Sequence, residues 1–557
     1  MWSVHPEQTS PRLVFLTVSW TRVIVLLLAA LVIALAVLTL RHNVNWDEFH
    51  FLQQVHEFHR GAPLRALQTF HVHLMQWLVH LPAGDLTQIF VGRALMLGLL
   101  CGTGAFIYLV ARSLTDANSA LIGVLAFGTS GYVILHGASF RADPLIAFLL
   151  MGALAILFTS RMSVRWMALA AVMAALAMAV SIKSALYLPA FLAVMVWRGS
   201  ERGMILRTLA TGALFVGFAV LLHFWHAAQL DTTGTQGSAE ATAAAMKTTL
   251  LSDGLLPRAR YVIAWIADSI VPLTLAVVAL VFSFAAPRDD RLRRFLTLAL
   301  LALPVASVLF YRNAFPYFFP FIVPPLMVVV AVGASRLTSR PALLAGLVVL
   351  MVASGVMQIR RAAEETNTVQ AGTLAAIHAM FPAPVAYIDR NGMVPSFHKV
   401  GFFMSSWGRK NYHEAGRPIL APLVRDRQPP LVIANTRVLE DALKGAEDTC
   451  CGLLEADRAA LDENYVHHSG AIWLAGKTVQ LDASPTKIDV LIAGRYRVRS
   501  GSGVTIGDRR VTLGDIVQLP VGETLVSADA PTELELVWAV PGDKTATAPK
   551  GNIYADF

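Results

Sequence analysis

The chain of 557 residues is 55% hydrophobic and only 15% charged, and it carries a formal net charge of +8. Soluble proteins of ordinary composition hold about 25% charged residues. The deficit lies in residues 1–358, whereas 359–557 have the make-up of a soluble domain. A wholly soluble enzyme, a disordered chain and a disulfide scaffold are excluded. The expected class is a polytopic α-helical membrane protein with a C-terminal extramembrane domain. The basic surplus sits in short loops between apolar runs, where it sets topology, so no nucleic-acid partner is expected. The three cysteines, Cys101 and the adjacent Cys450 and Cys451, build neither a disulfide framework nor a CxxC metal site.

A spanning helix needs about 20 mostly apolar residues. The first run, Val23 to Leu40, is preceded by Arg12 and Arg22 and followed by Arg41, His42 and Asn43 rather than by a cleavage site. It is therefore expected to be a retained first helix. Further runs lie near 87–110, 119–135, 144–160, 166–182, 184–197, 208–226, 261–286, 295–310, 317–335 and 341–358, eleven in all. The stretch 166–197 fits one broken helix or two full ones. With the N-terminus in the cytoplasm, the inner loops are short and hold Arg112, Arg161, Arg165, Arg198, Arg207, Arg288, Arg336 and Arg340, as the positive-inside rule requires. The loops 41–86, 136–143, 227–260 and 311–316, and all of 359–557, then lie on the outer face.

Taken in chain order, the outer loops carry the chemistry. The first opens with Asn45-Trp46-Asp47-Glu48 directly after the first span and holds His50, His56, His59, His71, His73 and His80. An acidic pair one step outside a membrane helix can act as a general base or bind a cation. Segments 49–60 and 64–80 place apolar residues such as Leu64, Leu67, Phe70, Leu74 and Leu78 at helical spacing, which predicts helices lying in the interface plane. His71 and His73, two apart, do not share a helix face, so they make a poor metal pair. The second outer loop ends His136-Gly137-Ala138-Ser139-Phe140-Arg141-Ala142-Asp143-Pro144, with a carboxylate at the positive end of a helix. Arg93, Lys183 and Arg312 lie within spans or at their outer ends, where a charge is costly and points to function. Outer-face cations beside outer-face carboxylates describe a site for an anionic lipid headgroup, with cations for a phosphate and a carboxylate to deprotonate an attacking group.

In order and sidedness these elements resemble the GT-C membrane glycosyltransferases, specifically the protein O-mannosyltransferase and lipid A aminoarabinose transferase group. The matching elements are Asp47-Glu48 opening the first outer loop, Gly92-Arg93 early in the second span, Arg141-x-Asp143, Lys183, and Phe315-Pro316-Tyr317-Phe318-Phe319-Pro320 leading to Pro324 and Pro325. The likeness covers roughly residues 23–335. It implies an inverting enzyme that moves a sugar from a polyprenyl-phosphate carrier to an extracytoplasmic acceptor, which could be a glycolipid, a polysaccharide or lipid A. It further implies Asp47 as catalytic base with Glu48 beside it, and Asp143 as a second active-site carboxylate. Arg93, Arg141, Lys183 and Arg312 would hold the carrier phosphate, and Tyr317 and His136 would line the cavity. No cofactor is implied, and no ligand spacing supports a divalent cation at Asp47, Asp143 or a loop histidine. The His-Pro-Pro motif common in O-mannosyltransferases is replaced by His71-Val72-His73-Leu74, which points away from a protein acceptor. The alternative functions are a transporter or flippase of lipid-linked sugars and a protein O-mannosyltransferase. The setting expected is a bacterial inner membrane with the C-terminal domain in the periplasm.

Residues 1–358 are thus expected to form the transmembrane catalytic domain and 359–557 an extracytoplasmic one. Its first part, 359–465, alternates strand-like runs such as Val385 to Ile388 and Leu431 to Ala434 with helix, as in an α/β layer. The second part, 466–557, is β-rich, with short runs separated by Gly-rich turns such as Gly501-Ser502-Gly503.

Overall fold

The computed structural model describes residues 20–62, 64, 68–230, 254–285, 288–401, 406–446, 452–501 and 503–553. Cys450, Cys451, Leu67 and most of the loop 227–260 lie outside them. Among the described residues, helix occupies all eleven apolar runs, and six helices are long and apolar enough to cross a membrane singly, up to eight if two bent pairs each count as one span. The protein is a multi-pass membrane protein. Helix α1 (Trp20–Arg41) leads to α2 (Trp46–His59), α3 (His71–Met75), α4 (Asp85–Arg112), α5 (Ala117–Gly128), α6 (Gly131–His136) and α7 (Ala142–Thr159), then α8 (Val164–Val180), α9 (Leu188–Arg198) and α10 (Met204–Ala228). Helix α7 is the centre of the bundle, with 78% of its residues buried. Helix α10, at 6% over an 18-residue stretch, turns almost all its apolar surface outward, as a lipid-facing helix must.

Breaks in the spans have local causes. Helices Ala259–Asp268 and Ile270–Ser283 meet at 81°, where Pro272 has no N–H to give the Asp268 carbonyl. Pro316–Ile322 and Pro324–Ser335 meet at 61°, between two proline clusters. The stretch 166–197 proves to be two helices joined by a 3₁₀ turn, Ile182–Tyr187, after an extended Ser181 (φ −158°, ψ 130°). In the first outer loop, α2 covers the expected helix at 49–60. The second expected helix begins only at His71, after Gln68 takes a left-handed φ of 65°, and continues as 3₁₀ over Gln76–His80. The left-handed backbone at Gln68 interrupts the apolar periodicity that suggested helix from 64.

The last span, Pro341–Glu364, runs past the expected boundary at 358 and is sewn to the end of α1. His42 pairs with Thr366 as an antiparallel bridge, and the Gln370 side chain exchanges two 2.7 Å hydrogen bonds with the Val44 backbone. Beyond it lie the strands β1 (Ala386–Ile388), β2 (His398–Val400), β3 (Leu431–Ile433), β4 (Tyr465–Ser469), β5 (Ile472–Leu481), β6 (Thr486–Val490), β7 (Gly494–Ser500), β8 (Val504–Ile506), β9 (Arg509–Val511), β10 (Ile516–Leu519), β11 (Gly522–Ala528) and β12 (Thr532–Trp538), of which β1 and β3 fall on the runs expected at 385–388 and 431–434. Among the described residues they form an eight-stranded sheet of order β10-β7-β12-β5-β3-β1-β2, with β4 also on β5, and a four-stranded sheet of order β6-β11-β8-β9. Strands β2, β1 and β3 are parallel, and β3 meets β5 antiparallel, so one sheet joins the α/β part to the β-rich part. The main apolar core runs unbroken from Ile24 of α1 to Leu431 and Leu474 of this sheet.

Candidate active site

The site begins with how α2 starts. Asn45 sits in extended backbone, its side chain accepts from the Asp47 N–H at 3.0 Å, and Glu48 Oε1 accepts from the Asn45 N–H at 3.0 Å. This reciprocal cap fixes the first turn of the helix. Successive helical residues point about 100° apart, so the acidic pair divides. Asp47, His50, Phe51 and Gln54, spaced i, i+3, i+4 and i+7, line a cavity of about 400 Å³. Glu48, Leu52 and Val55 form the opposite, buried face.

Three further elements close the cavity. Arg141 caps α7 in extended backbone, and Asp143 follows in the first turn of that helix, favoured there by the helix dipole. Lys183 projects from the 3₁₀ turn between α8 and α9. Tyr311, Asn313 and Tyr317 come from the Pro-rich segment before the bent span. The charges form a chain: Asp47 Oδ2 contacts Arg141 Nη1, Arg141 Nε lies 3.5 Å from Asp143 Oδ2, and Asp143 Oδ1 accepts from Lys183 Nζ. The Arg141 guanidinium rests 3.7 Å above the Tyr317 ring, a cation–π contact that fixes its plane. Asp47 is the most open of the four, its side chain 20% exposed against 3% for Asp143. Burial raises the Asp47 carboxyl above the ordinary range against the opposing pull of Arg141.

Glu48 and Arg93 meet elsewhere. Arg93 Nε and Nη2 donate to Glu48 at 2.8 and 2.7 Å, and its remaining N–H groups reach the Thr39, His42 and Asn43 carbonyls at 3.2, 2.9 and 2.6 Å. All five guanidinium donors are thus used. Glu48 also accepts from the Phe140 N–H at 2.7 Å. Burial would raise the Glu48 carboxyl, but Arg93 and the backbone N–H groups hold it below the ordinary range. The pair bolts the end of α1, the start of α2 and the loop before α7 together.

Of the residues singled out from sequence, Asp47, Asp143, Arg141, Lys183 and Tyr317 therefore gather on one cavity. Glu48 and Arg93 stand behind it. His136 lines a neighbouring cavity of about 190 Å³ with Glu48, His42 and Tyr261. Arg312 sits between Tyr311 and Asn313, which line the main cavity while Arg312 does not. His71 stacks on Phe51 with ring centroids 3.5 Å apart, and His73 Nε2 lies 2.8 Å from His226 Nδ1, so these two histidines face different partners. His50, Gln54, Tyr311 and Asn313 were not singled out for the site. The first two were within reach of the sequence, because they share the helical face of Asp47.

Neither the family models nor the curated proteins include a match to this chain. Solved structures do. Lipid A aminoarabinose transferase ArnT from Cupriavidus metallidurans, bound to undecaprenyl phosphate, superposes with a TM-score of 0.55 at 14% identity, covering 74% of this chain and 93% of that one. The Archaeoglobus fulgidus oligosaccharyltransferase in its apo form gives 0.49 at 11% identity over 79% and 72%. The same organism's enzyme AglB, with an inhibitory peptide and a dolichol-phosphate, gives 0.48 at 11% over 94% and 98%. This chain shares the fold of the ArnT structure.

Proposed function

We propose that the protein is an inverting glycosyltransferase of a bacterial inner membrane, which moves a sugar from a polyprenyl-phosphate carrier to an acceptor on the outer face. The observation that carries this reading is the alternating chain Asp47, Arg141, Asp143, Lys183 along one cavity beside broken membrane helices. Two cations there suit a phosphate, and each is paired with a carboxylate. A phosphate arriving on Arg141 and Lys183 competes with those carboxylates and frees Asp47. The freed base takes the proton of the acceptor hydroxyl as its oxygen attacks the anomeric carbon. The bond from that carbon to the carrier phosphate oxygen breaks, and Arg141 and Lys183 stabilise the departing phosphate. Arg93 and Glu48 act by holding α2, and Tyr317 by aiming Arg141.

In the same reading the N-terminus is cytoplasmic, residues 1–358 are the catalytic domain, and 359–557 form a periplasmic domain over its outer face. The acceptor is a glycolipid, a polysaccharide or lipid A. The test is transfer from a panel of radiolabelled polyprenyl-phosphate sugars to membrane extracts by purified protein in lipid. Wild type should give labelled product. Asp47→Asn should lower the rate about 10²–10⁴-fold, the usual worth of a general base, while still binding the carrier. An Asp47→Asn protein of full activity would overturn the assignment of the base. A donor bound but never turned over would turn the reading toward a transporter.

A further inference from the structure

The C-terminal sheet opens a second cavity, of about 880 Å³, that the reaction above does not use. It lies past the carboxyl ends of the parallel strands β1 and β3, where the chain leaves as Asp389-Arg390-Asn391 and Ala434-Asn435-Thr436. With β2 and β3 on opposite sides of β1, the strand order reverses there, and such a crevice is where open α/β sheets receive ligands. Among the described residues its wall carries Arg390, Arg437, Lys444 and Lys550 against a single carboxylate, Glu440, with Trp473 beside them. Two of these cations pair with solvent-exposed carboxylates one helical turn away, Lys444 with Glu440 at 2.6 Å and Arg437 with Asp441 at 3.5 Å. Such pairs are weak and give way to a better anion.

The floor of the crevice is rigid. Asn435, 3% exposed, donates to Asp389 Oδ2 and Asn391 Oδ1 at 2.9 Å each and accepts from the Arg390 N–H at 2.9 Å. The same loop reaches the catalytic helix: Asn391 Nδ2 donates to the Trp46 carbonyl at 2.8 Å, and the Arg390 guanidinium lies 5.2 Å from the Trp46 ring. Trp46 immediately precedes Asp47. A single residue therefore both meets a cation of the crevice and adjoins, in the chain, the carboxylate facing the other cavity.

We infer that this crevice binds an anionic carbohydrate, the phosphate- or carboxylate-bearing part of the acceptor, and holds it beside the helix that carries Asp47. The inference rests on the proposed transfer reaction for the word acceptor, but the anion site stands or falls separately. Its probe is a disaccharide 1-phosphate, titrated by calorimetry into full-length protein in nanodiscs of zwitterionic lipid, with the uncharged disaccharide as reference. The phosphorylated sugar should bind at least tenfold more tightly, and added salt should erode that preference. Arg437→Gln with Lys550→Gln, both on exposed side chains, should abolish the preference, whereas Asp47→Asn should leave it intact. Dihexanoyl phosphatidic acid as competitor separates the sources: displacement of the sugar phosphate marks a site that also takes a lipid headgroup, and no displacement marks a soluble glycan. Equal affinity for charged and uncharged sugar, or a preference untouched in the double variant, would overturn the inference. Transfer with unchanged acceptor KM in the double variant would remove the crevice and leave the glycosyltransferase standing. Sugar-phosphate binding without any transfer would do the reverse.

Discussion

Asp47 and Glu48 are neighbours in sequence with the same chemistry, yet they live in opposite regimes. Glu48 is sealed, with its oxygens taken by Arg93 and two backbone N–H groups, and Arg93 has spent all its donors. Asp47 is partly open, shares Arg141 with Asp143, and faces a cavity. A saturated ion pair holds structure, because nothing can approach without first breaking bonds that water cannot replace. An unsaturated one can trade partners, which is what a site that receives and releases a phosphate requires. A single step of about 100° along one helix thus separates a sealed carboxylate from one that faces a cavity.

The sharpest way to break this contrast is to remove one cation from each cluster. Arg93→Ala leaves a buried carboxylate without its counter-ion and should cost about 3–5 kcal/mol of stability. It would show as a large fall in the thermal unfolding midpoint in detergent, or as loss of monodisperse protein. Lys183→Met should leave the fold standing and weaken the donor instead. Charge-assisted hydrogen bonds are worth about 1.5–3 kcal/mol, so the KM for the polyprenyl-phosphate sugar should rise roughly 10- to 100-fold. If Lys183→Met unfolded the protein and Arg93→Ala left it stable but raised the donor KM, the roles assigned to the two clusters would have to be exchanged.

How much of this could be read without the structure follows from the same physics. Asp47, Asp143 and Lys183 were legible because a charge at a membrane boundary is rare enough to mark itself. The division of labour between Asp47 and Glu48 was not, since adjacent helical positions diverge only once the cap at Asn45 has fixed where the helix begins. The spans were legible as apolar runs, but their breaks have local causes that a count of apolar residues does not register: Pro272 withholds an N–H just after Ser269, and beyond Ser181 the Ser184 Oγ donates to the Ala177 carbonyl at 2.9 Å. Contacts between distant segments were invisible, the hydrogen bond from Asn391 to Trp46 above all. That bond makes a prediction of middle size. Asn391→Ala strands the Trp46 carbonyl and an Asn435 donor, at about 1–3 kcal/mol. It should lower kcat while leaving the donor KM unchanged, because it loosens α2 without touching the phosphate cations. A rise in donor KM with unchanged kcat would place Asn391 in another role.

The smallest expected effect concerns the buried histidines His50 and His71 of the first outer loop, and it separates packing from catalysis. Burial holds His71 neutral down to about 3, and burial with Lys399 nearby holds His50 neutral down to about 4. In the unfolded chain each protonates near the ordinary histidine value of about 6.5. A depressed histidine pKa means that the unfolded state binds protons the folded state refuses. Stability from this source is complete above pH 6.5 and drains away as the pH falls toward 4 and then 3. Unfolding midpoints should therefore decline between pH 7 and pH 5, and His71→Asn should flatten part of that decline even if it lowers the midpoint at pH 7. The ionised Glu48 adds a second acid-labile contribution, since its depressed carboxyl keeps stability above the ordinary carboxylate range and loses it only below. The two are told apart by where the decline falls: a slope between pH 7 and 5 left undiminished in His71→Asn with His50→Gln would assign the decline to other groups and overturn the reading of these two rings as kept neutral by burial.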